Sequence, residues 1–327
     1  MPDILKNRLI FAAKYLIGFI LLAWILARVD RQNMVSILLS VNAGTLLNVL
    51  ILALINLFLQ FRLWKFLVES HSVNFQIKDI LPSFFAGFAF RLMIPGGHAE
   101  ITKIFLLPGP KRGKAIAFGI EKFFQTVFKI VLVLIALPIV LPEYQFILLS
   151  SAGLLLAGFI ILPFYLKNER FSRFQEKNVS YKRIFLAAFL HTVPIFLSLA
   201  LQYHILLNDS FSISFFETSI VTVFIWGAGL IPVSVSGLGV RENIAVLLLA
   251  KYGVPGAGAV GISLLLFFIN AILPAIAGVF IIIRRRNDIK GAGGEIKKVT
   301  KNIIENRKNR QQQKKNRQQT STSAITE

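Results

Sequence analysis

The sequence contains no cysteine. Disulfides, thiolate nucleophiles, thiolate zinc sites and iron–sulfur clusters are therefore excluded. Histidine is scarce, with four residues in the whole chain, and none has a partner at metal-ligand spacing. A G-x-S-x-G nucleophile elbow, a P-loop and a dinucleotide fingerprint are also missing. We therefore expect neither a metal nor an organic cofactor, and the sequence predicts that the protein is not an enzyme.

Acidic residues are few, with 16 Asp and Glu against 36 Lys and Arg and a formal net charge of +20. Thirteen of the basic residues lie between Arg284 and the C-terminus. Such a balance can indicate nucleic-acid binding, but no folded reader motif accompanies it. Residues 285–327 are instead predicted to form a basic, disordered cytoplasmic tail, and we expect no nucleic-acid partner.

Long apolar runs dominate the rest of the chain, which is 55% hydrophobic with a mean hydropathy of +0.67. Runs of about 20 residues match the length of a membrane-crossing helix. Residues 1–284 are therefore predicted to form an all-α polytopic membrane domain. Two apolar regions, Ile80–Leu107 and Phe216–Lys251, are interrupted by Pro and Gly and are predicted to be re-entrant hairpins. The six predicted full spans are Leu9–Val29, Ala43–Phe61, Ala115–Leu141, Tyr144–Leu166, Ile184–Leu207 and Pro255–Ile283.

The basic loop residues predict the orientation of these spans. With a cytoplasmic N-terminus and two re-entrant hairpins, 28 Lys and Arg fall on the cytoplasmic side and 3 on the opposite side. This asymmetry satisfies the positive-inside rule. We therefore expect a multi-pass protein of the cell membrane with both termini in the cytoplasm.

An internal repeat emerges when the chain is shifted by 142 residues, which places Gly97 on Gly239 and Glu100 on Glu242. Each unit, about residues 5–141 and 144–284, then contains two spans, a broken hairpin and a third span. Because three crossings per unit is an odd number, the second unit is predicted to be inverted. Inverted repeats with interrupted segments in matching positions point to a transport site.

The two broken segments share one pattern in "AFRLMIPGGHAEITKIF" and "LIPVSVSGLGVRENIAVLL". Pro95 and Pro232 interrupt a helix by removing a donor. Glycines then permit tight reversal and close backbone approach, and a Glu opens a second helix whose N-terminus favours anions. The glycines predicted to shape the hairpins are Gly96, Gly97, Gly237 and Gly239.

Ionisable residues within apolar segments are functional candidates by default. We expect Lys103, three residues after Glu100, to share its helix face. Arg241 and Glu242 are adjacent and are expected to reach different partners. The charges of each hairpin are expected to pair with the other hairpin or with Glu121 and Lys122. These charges hold the bundle together as ion pairs, bind an anion or lipid headgroup, or form a catalytic carboxylate pair. The candidate substrate-binding residues are Arg91, His98, Glu100, Lys103, Glu121, Lys122, Arg241 and Glu242, and Lys129 is a further basic residue in these segments.

Four amides in the apolar runs are predicted to form hydrogen bonds between helices, as polar side chains at membrane depth commonly do. They are Asn48, Asn56, Gln60 and Asn270.

Three stretches, "IPGGHAEITKIFLL", "GIEKFF" and "VSGLGVRENIAVLLL" followed by "YGVP", carry a family resemblance. Over about residues 5–285 the chain resembles the membrane domain of lysylphosphatidylglycerol synthases, a family also described as flippase-like. Lys103 and Lys122 stand where that family more often has Arg. A lysine there offers a point charge in place of a bidentate fork.

The resemblance implies a lipid flippase-like transporter for an anionic or aminoacylated phospholipid or another lipid-linked headgroup. Two-domain members carry a soluble aminoacyl-transferase domain after the membrane domain. The resemblance here therefore implies the lipid-translocating half without the half that synthesises the lipid. The alternatives are an integral-membrane enzyme acting on a lipid-linked substrate, or a membrane scaffold for lipid-synthesis enzymes. The expected partners are membrane lipids and lipid-synthesis enzymes. The sequence does not indicate whether the protein is a monomer or an oligomer.

Overall fold

The computed structural model describes residues 20–71, 76–93, 98–109, 111–165, 180–231 and 235–284. Within these ranges the chain is helical, with no β-strand. The α-helices are α1 (20–28), α2 (Arg31–Ser40), α3 (Ala43–His71), α4 (Ile77–Met93), α5 (Lys111–Ala136), α6 (Gln145–Tyr165), α7 (Tyr181–Ser210), α8 (Phe215–Gly227), α9 (Val240–Leu249), α10 (Gly256–Phe267) and α11 (Leu273–Arg284). A 3₁₀-helix, His98–Leu106, lies between α4 and α5.

Five helices in the described ranges are long and apolar enough to cross a membrane, and their mean hydropathy runs from 1.9 to 2.6. They correspond to five of the six predicted spans, so the chain is an all-α polytopic membrane protein. Most of the first predicted span, Leu9–Val29, lies outside the described residues. The five helices are Ala43–His71, Lys111–Ile139, Pro142–Phe164, Tyr181–Ser210 and Gly256–Arg284.

The chain divides into two units, residues 1–281 and 282–327. The first contains almost all of the described helices. The predicted tail, residues 285–327, lies outside the described residues, so its predicted disorder remains a prediction.

Both interrupted regions fold as helical hairpins. In the first, α4 packs against the 3₁₀-helix His98–Leu106, and in the second α8 packs against α9. The second hairpin begins at Ser214, whose hydroxyl accepts a hydrogen bond from the Glu217 N–H (3.3 Å), while the Glu217 carboxylate accepts one from the Ser214 N–H (3.0 Å). This capping box fixes the start of α8.

Helices α3 and α7 make extensive contact at the centre of the bundle. Asn56 on α3 donates to the Ile195 carbonyl (2.7 Å) and to Ser198 Oγ (2.5 Å) on α7. Gln60 instead donates to Asn56 within α3. The prediction of interhelical hydrogen bonding is therefore confirmed for Asn56, whereas Gln60 acts within its own helix.

The order of elements in 43–136 is the same as in 181–284: a long helix, a half-helix, a break, a short helix and a long helix. Two tight contacts cross between these halves. A Cβ on Gly227 of α8 would lie 2.6 Å from the Val133 side chain of α5, and one on Gly278 of α11 would overlap the carbonyl oxygen of Phe85 on α4. Each hairpin is thus packed closely against the last long helix of the other half.

The last span is not a uniform α-helix. Its two parts, α10 and α11, are joined by a π-helical turn at Phe268–Ile272. Pro274 follows this turn and has no N–H to donate to the residue four positions earlier. At the turn Asn270 donates from its side chain to Gln202 Oε1 of α7 (2.7 Å), which confirms the predicted interhelical hydrogen bond of Asn270.

Candidate functional site

The first hairpin brings Lys103 into the protein interior. Gly87 on α4 faces the 3₁₀-helix, where a Cβ would lie 3.0 Å from Lys103 Cδ and 3.4 Å from Glu100 Cγ. Ser83 donates a hydrogen bond to the Lys103 carbonyl (2.9 Å). The absence of a side chain at Gly87 therefore lets the stems of Glu100 and Lys103 pass between the two arms.

Five charged residues form what we call the Glu100 cluster: Arg91, Glu100, Lys103, Glu121 and Lys122. One Glu100 oxygen, Oε2, accepts from Arg91 (3.0 Å) and Lys122 (2.7 Å), while Oε1 accepts from Lys103 (3.2 Å). Lys103 also donates to Glu121 Oε2 at 2.6 Å. The predicted pairing of the first hairpin with Glu121 and Lys122 is confirmed.

The 3₁₀ conformation explains why Glu100 and Lys103 meet. Side chains three residues apart are eclipsed in a 3₁₀-helix, which has three residues per turn. Lys103 is also the most enclosed cation of the cluster, with a side chain 1% exposed and Nζ 3.8 Å from the centre of the Trp64 ring. A buried ammonium needs such partners because its hydration has been removed.

The cluster is asymmetric in exposure. The Glu100 and Glu121 side chains are each 5% exposed, whereas Arg91 is 30% and Lys122 is 29% exposed. The carboxylates therefore lie behind the accessible cations. Three cations against two carboxylates leave one formal positive charge in excess.

The second hairpin reverses direction through glycines. Gly237 and Gly239 have φ angles of +80° and +82°, and Ser236 between the hairpin arms has φ +55°. A side chain is disfavoured at such angles, so the backbone at these two positions favours glycine. A Cβ on Gly237 would also lie 3.2 Å from Arg241 Cγ, so this glycine makes room for the Arg241 stem.

Glu242 holds the start of α9. The Gly239 N–H donates to Glu242 Oε2 (2.6 Å), which satisfies one of the free N–H groups of the helix N-terminus. Ser263 on α10 donates to Glu242 Oε1 (3.5 Å), and the Tyr203 hydroxyl of α7 donates to Ser263 (3.4 Å). The Glu242 side chain is fully buried. We call Arg241, Glu242 and these polar neighbours the Glu242 site.

The expectation that Arg241 and Glu242 reach different partners is wrong, because an Arg241 guanidinium nitrogen lies 3.4 Å from Glu242 Oε1. Side chains at a helix start lean towards the N-terminus, and here both converge over the Gly237–Gly239 reversal. Arg241 also packs 4.2 Å from the centre of the Phe267 ring. Within the described ranges its Nε is buried without a hydrogen-bond partner, and its side chain is 16% exposed.

The two hairpins contact each other where α4 meets residues 235–237. No ion pair joins them among the described residues, so the predicted hairpin-to-hairpin charge pairing is not observed there. Lys129 on α5 lies within electrostatic range of both sites. It interacts with Arg91, Lys122 and Glu100 of the Glu100 cluster and with Arg241 of the Glu242 site.

Lys129 is a basic residue of the apolar segments that was not included among the candidate substrate-binding residues predicted from the sequence. It lies seven residues after Lys122, two helical turns along α5, and therefore on the same face. Trp64 and Ser263 also contribute, through the ring under Lys103 and the hydrogen bond to Glu242. No sequence signal identified these two, since both belong to apolar helices and reach the site only through the way those helices pack.

Several predicted residues lie outside the described residues, so their roles remain predictions. They are Pro95, Gly96, Gly97, Pro232 and the side chain of His98. Within the described ranges, no group of three or more His, Asp or Glu is arranged to hold a metal ion.

No curated protein and no solved structure matches this chain. The family model described as "Lysylphosphatidylglycerol synthase TM region" matches residues 11–278, which include both hairpins, the Glu100 cluster and the Glu242 site. The chain therefore belongs to the family of the lysylphosphatidylglycerol synthase transmembrane region.

Proposed function

We propose that this protein is a flippase-like transporter that moves the headgroup of an anionic or aminoacylated phospholipid, or another lipid-linked headgroup, across the membrane. The observation that carries the proposal is the Glu100 cluster, in which accessible cations lie in front of buried carboxylates between the first hairpin and α5. Ionisable groups at membrane depth usually face a substrate path or a water-filled cavity.

The hairpin breaks support the same function. Irregular backbone at membrane depth is tolerated where it is enclosed by protein or lines a wet cavity. In this protein the second reversal places Arg241 and Glu242 against Tyr203 and Ser263, within electrostatic range of Lys129. A headgroup would pass this polar interior while its acyl chains remain in lipid.

The repeated element order and the paired contacts Gly227–Val133 and Gly278–Phe85 support an inverted repeat. Transporters built in this way expose a central site alternately by moving one repeat against the other. We propose the same movement here, with the two hairpins re-entering the membrane from opposite sides.

The proposed location is the cell membrane, with both termini in the cytoplasm. The distribution of 28 basic residues on the cytoplasmic side and 3 on the other supports this orientation. Membrane lipids are the proposed partners, together with enzymes that synthesise them. We propose no chemical step and no cofactor.

The test is transport by the purified protein in liposomes containing headgroup-labelled lipids. We expect labelled lipid to change leaflet without chemical conversion. Glu242→Gln keeps an acceptor for the Gly239 N–H but removes the charge beside Arg241, and Arg241→Ala removes the guanidinium. Each should lower the rate about tenfold or more, the usual effect of losing a charged hydrogen bond. Lys251→Ala, at an exposed residue, is the matched control.

The three candidate functions give different results in this assay. Conversion of the lipid headgroup would identify a membrane enzyme and refute the transporter. If the labelled lipid neither changes leaflet nor is converted, the membrane scaffold is the remaining candidate function. The buried charges of a scaffold should tolerate substitution. Movement that is unchanged in both site variants would place transport elsewhere in the protein.

A further inference from the structure

Lys129 is a cation without a carboxylate partner among the described residues. Its ammonium lies 4.7 Å from the centre of the Trp226 ring of α8. It also lies 3.7 Å from where a side chain on Gly229 would begin, and Gly229 is exposed. The half-buried Lys129 therefore reaches an accessible position beside the second hairpin.

The surroundings of Lys129 are mainly positive. It interacts with the cations Lys122, Arg91 and Arg241, and with the carboxylate of Glu100. The Glu100 carboxylate already accepts from Arg91, Lys103 and Lys122, at 2.7 to 3.2 Å. The Glu100 carboxylate thus pairs with three cations, and Lys129 is not one of them.

Arg241 provides a second unused donor. A guanidinium has five N–H donors, whereas in the described residues Arg241 makes one long hydrogen bond, to Glu242 at 3.4 Å. The Arg241 Nε has no hydrogen-bond partner in the part of the chain that the structure describes. Among the described residues, Lys129 thus pairs with no carboxylate and Arg241 has donors without acceptors.

Counting formal charges over both sites gives five cations, Lys129 included, against the three carboxylates Glu100, Glu121 and Glu242. An uncompensated cation in a desolvated interior is unfavourable unless an anion joins it. The buried carboxylates, at most 5% exposed, cannot meet an ammonium group on a ligand. A site with this composition attracts phosphate and repels a cationic headgroup.

We propose that Lys129, with Arg241, is the phosphate-binding position, and that it restricts the substrate to anionic phospholipids, excluding aminoacylated ones. This inference rests on the proposed function and narrows its substrate class. A phosphate oxygen takes the place of the missing carboxylate at Lys129, and the headgroup beyond the phosphate carries no ammonium.

The test compares two lipids labelled on the acyl chain, so that the headgroups stay native: phosphatidylglycerol and lysylphosphatidylglycerol. In liposomes, the wild-type protein should move phosphatidylglycerol at least about tenfold faster, the effect of one charged hydrogen bond. Lys129→Gln should remove most of this preference and Lys129→Arg should retain it. Lys182→Gln is the matched control, because Lys182 also lies over an aromatic ring, Phe164, at 4.2 Å.

Folding gives an independent readout. Because Lys129 forms no ion pair with a carboxylate among the described residues, Lys129→Gln should leave the thermal stability of the lipid-free protein unchanged or higher. A decrease would mean that Lys129 has a structural partner, and would overturn the inference. Equal movement of both lipids by the wild type, or a preference unchanged in Lys129→Gln, would also overturn it.

Failure of the proposed function is distinguishable from failure of this inference. If neither lipid moves, the phosphate position is tested by equilibrium binding of the same two labelled lipids to the purified protein in detergent. Stronger binding of phosphatidylglycerol that is lost in Lys129→Gln would support the phosphate position without transport. Equal binding of the two lipids would refute it.

Discussion

Replacement of Lys103 by methionine tests whether one buried ammonium holds the Glu100 cluster together. Methionine approximates the length of the lysine stem, so the change removes the charge with little loss of packing. Lys103 lies 2.6 Å from Glu121 and 3.2 Å from Glu100. Glu100 retains Arg91 and Lys122 after the change, whereas Glu121 keeps no ion-pair partner within the described ranges.

The expected loss of stability follows from that difference. Removing one partner of a buried ion pair costs about 3–5 kcal/mol, because the other charge stays buried without compensation. Replacing both partners by apolar residues is often neutral. Lys103→Met should therefore lose about 3–5 kcal/mol, and Lys103→Met/Glu121→Met should recover most of it. Lys103→Met/Glu100→Met should recover none, because it leaves Glu121 buried and removes the acceptor of Arg91 and Lys122.

The measurement is the free energy of unfolding of the purified protein in mixed micelles, titrated with a denaturing detergent. Tryptophan fluorescence reports the transition, since Trp64 lies under the Lys103 ammonium. Native stability for Lys103→Met would refute the reasoning. Equal recovery in the two double variants would also refute it, because it would mean that Glu121 does not depend on Lys103.

Three further predictions concern packing, hydrogen bonding and topology. Gly278→Ala should lose about 1–3 kcal/mol, because its methyl group would overlap the Phe85 carbonyl, and Gly158→Ala, with open space around it, should not; equal stability of the two would contradict the tight contact. Asn56→Leu should lose about 0.6–2 kcal/mol in the same titration, the range for hydrogen bonds between membrane helices, and an unchanged midpoint would argue against a net contribution. Arg112→Cys, in this cysteine-free chain, should react with an impermeant thiol reagent only after the membrane is opened, and labelling in intact cells would refute the proposed hairpin topology.

The sequence predicted those parts of the site that depend on spacing along the chain. Lys103 follows Glu100 by three residues, and Glu121 and Lys122 lie in the next helix, so their meeting required only that the first hairpin close. Arg91 joins the same carboxylate from the other arm of that hairpin. Its partner depended on how α4 packs against the 3₁₀-helix, which spacing alone does not determine.

The contact between Arg241 and Glu242 was missed because face arguments assume a regular helix. These residues open α9 directly after a reversal with two glycines at positive φ, where side-chain directions depend on the turn. Helix α2 was also not predicted. Its start at Arg31 is capped by Asp30, whose carboxylate accepts from the Asn33 N–H (3.0 Å), and with ten residues it is shorter than the apolar runs that predict spans.

The π-helical turn at Phe268–Ile272 sets the rotation of α11 relative to α10. Such a turn is equivalent to one extra residue in an α-helix, and one residue corresponds to about 100° of rotation. Deleting a residue there would give a regular helix but would turn Gly278 away from Phe85 and bring a larger side chain against α4. The extra residue therefore fixes which face of α11 packs against the first hairpin, while Asn270 anchors the middle of the span to α7.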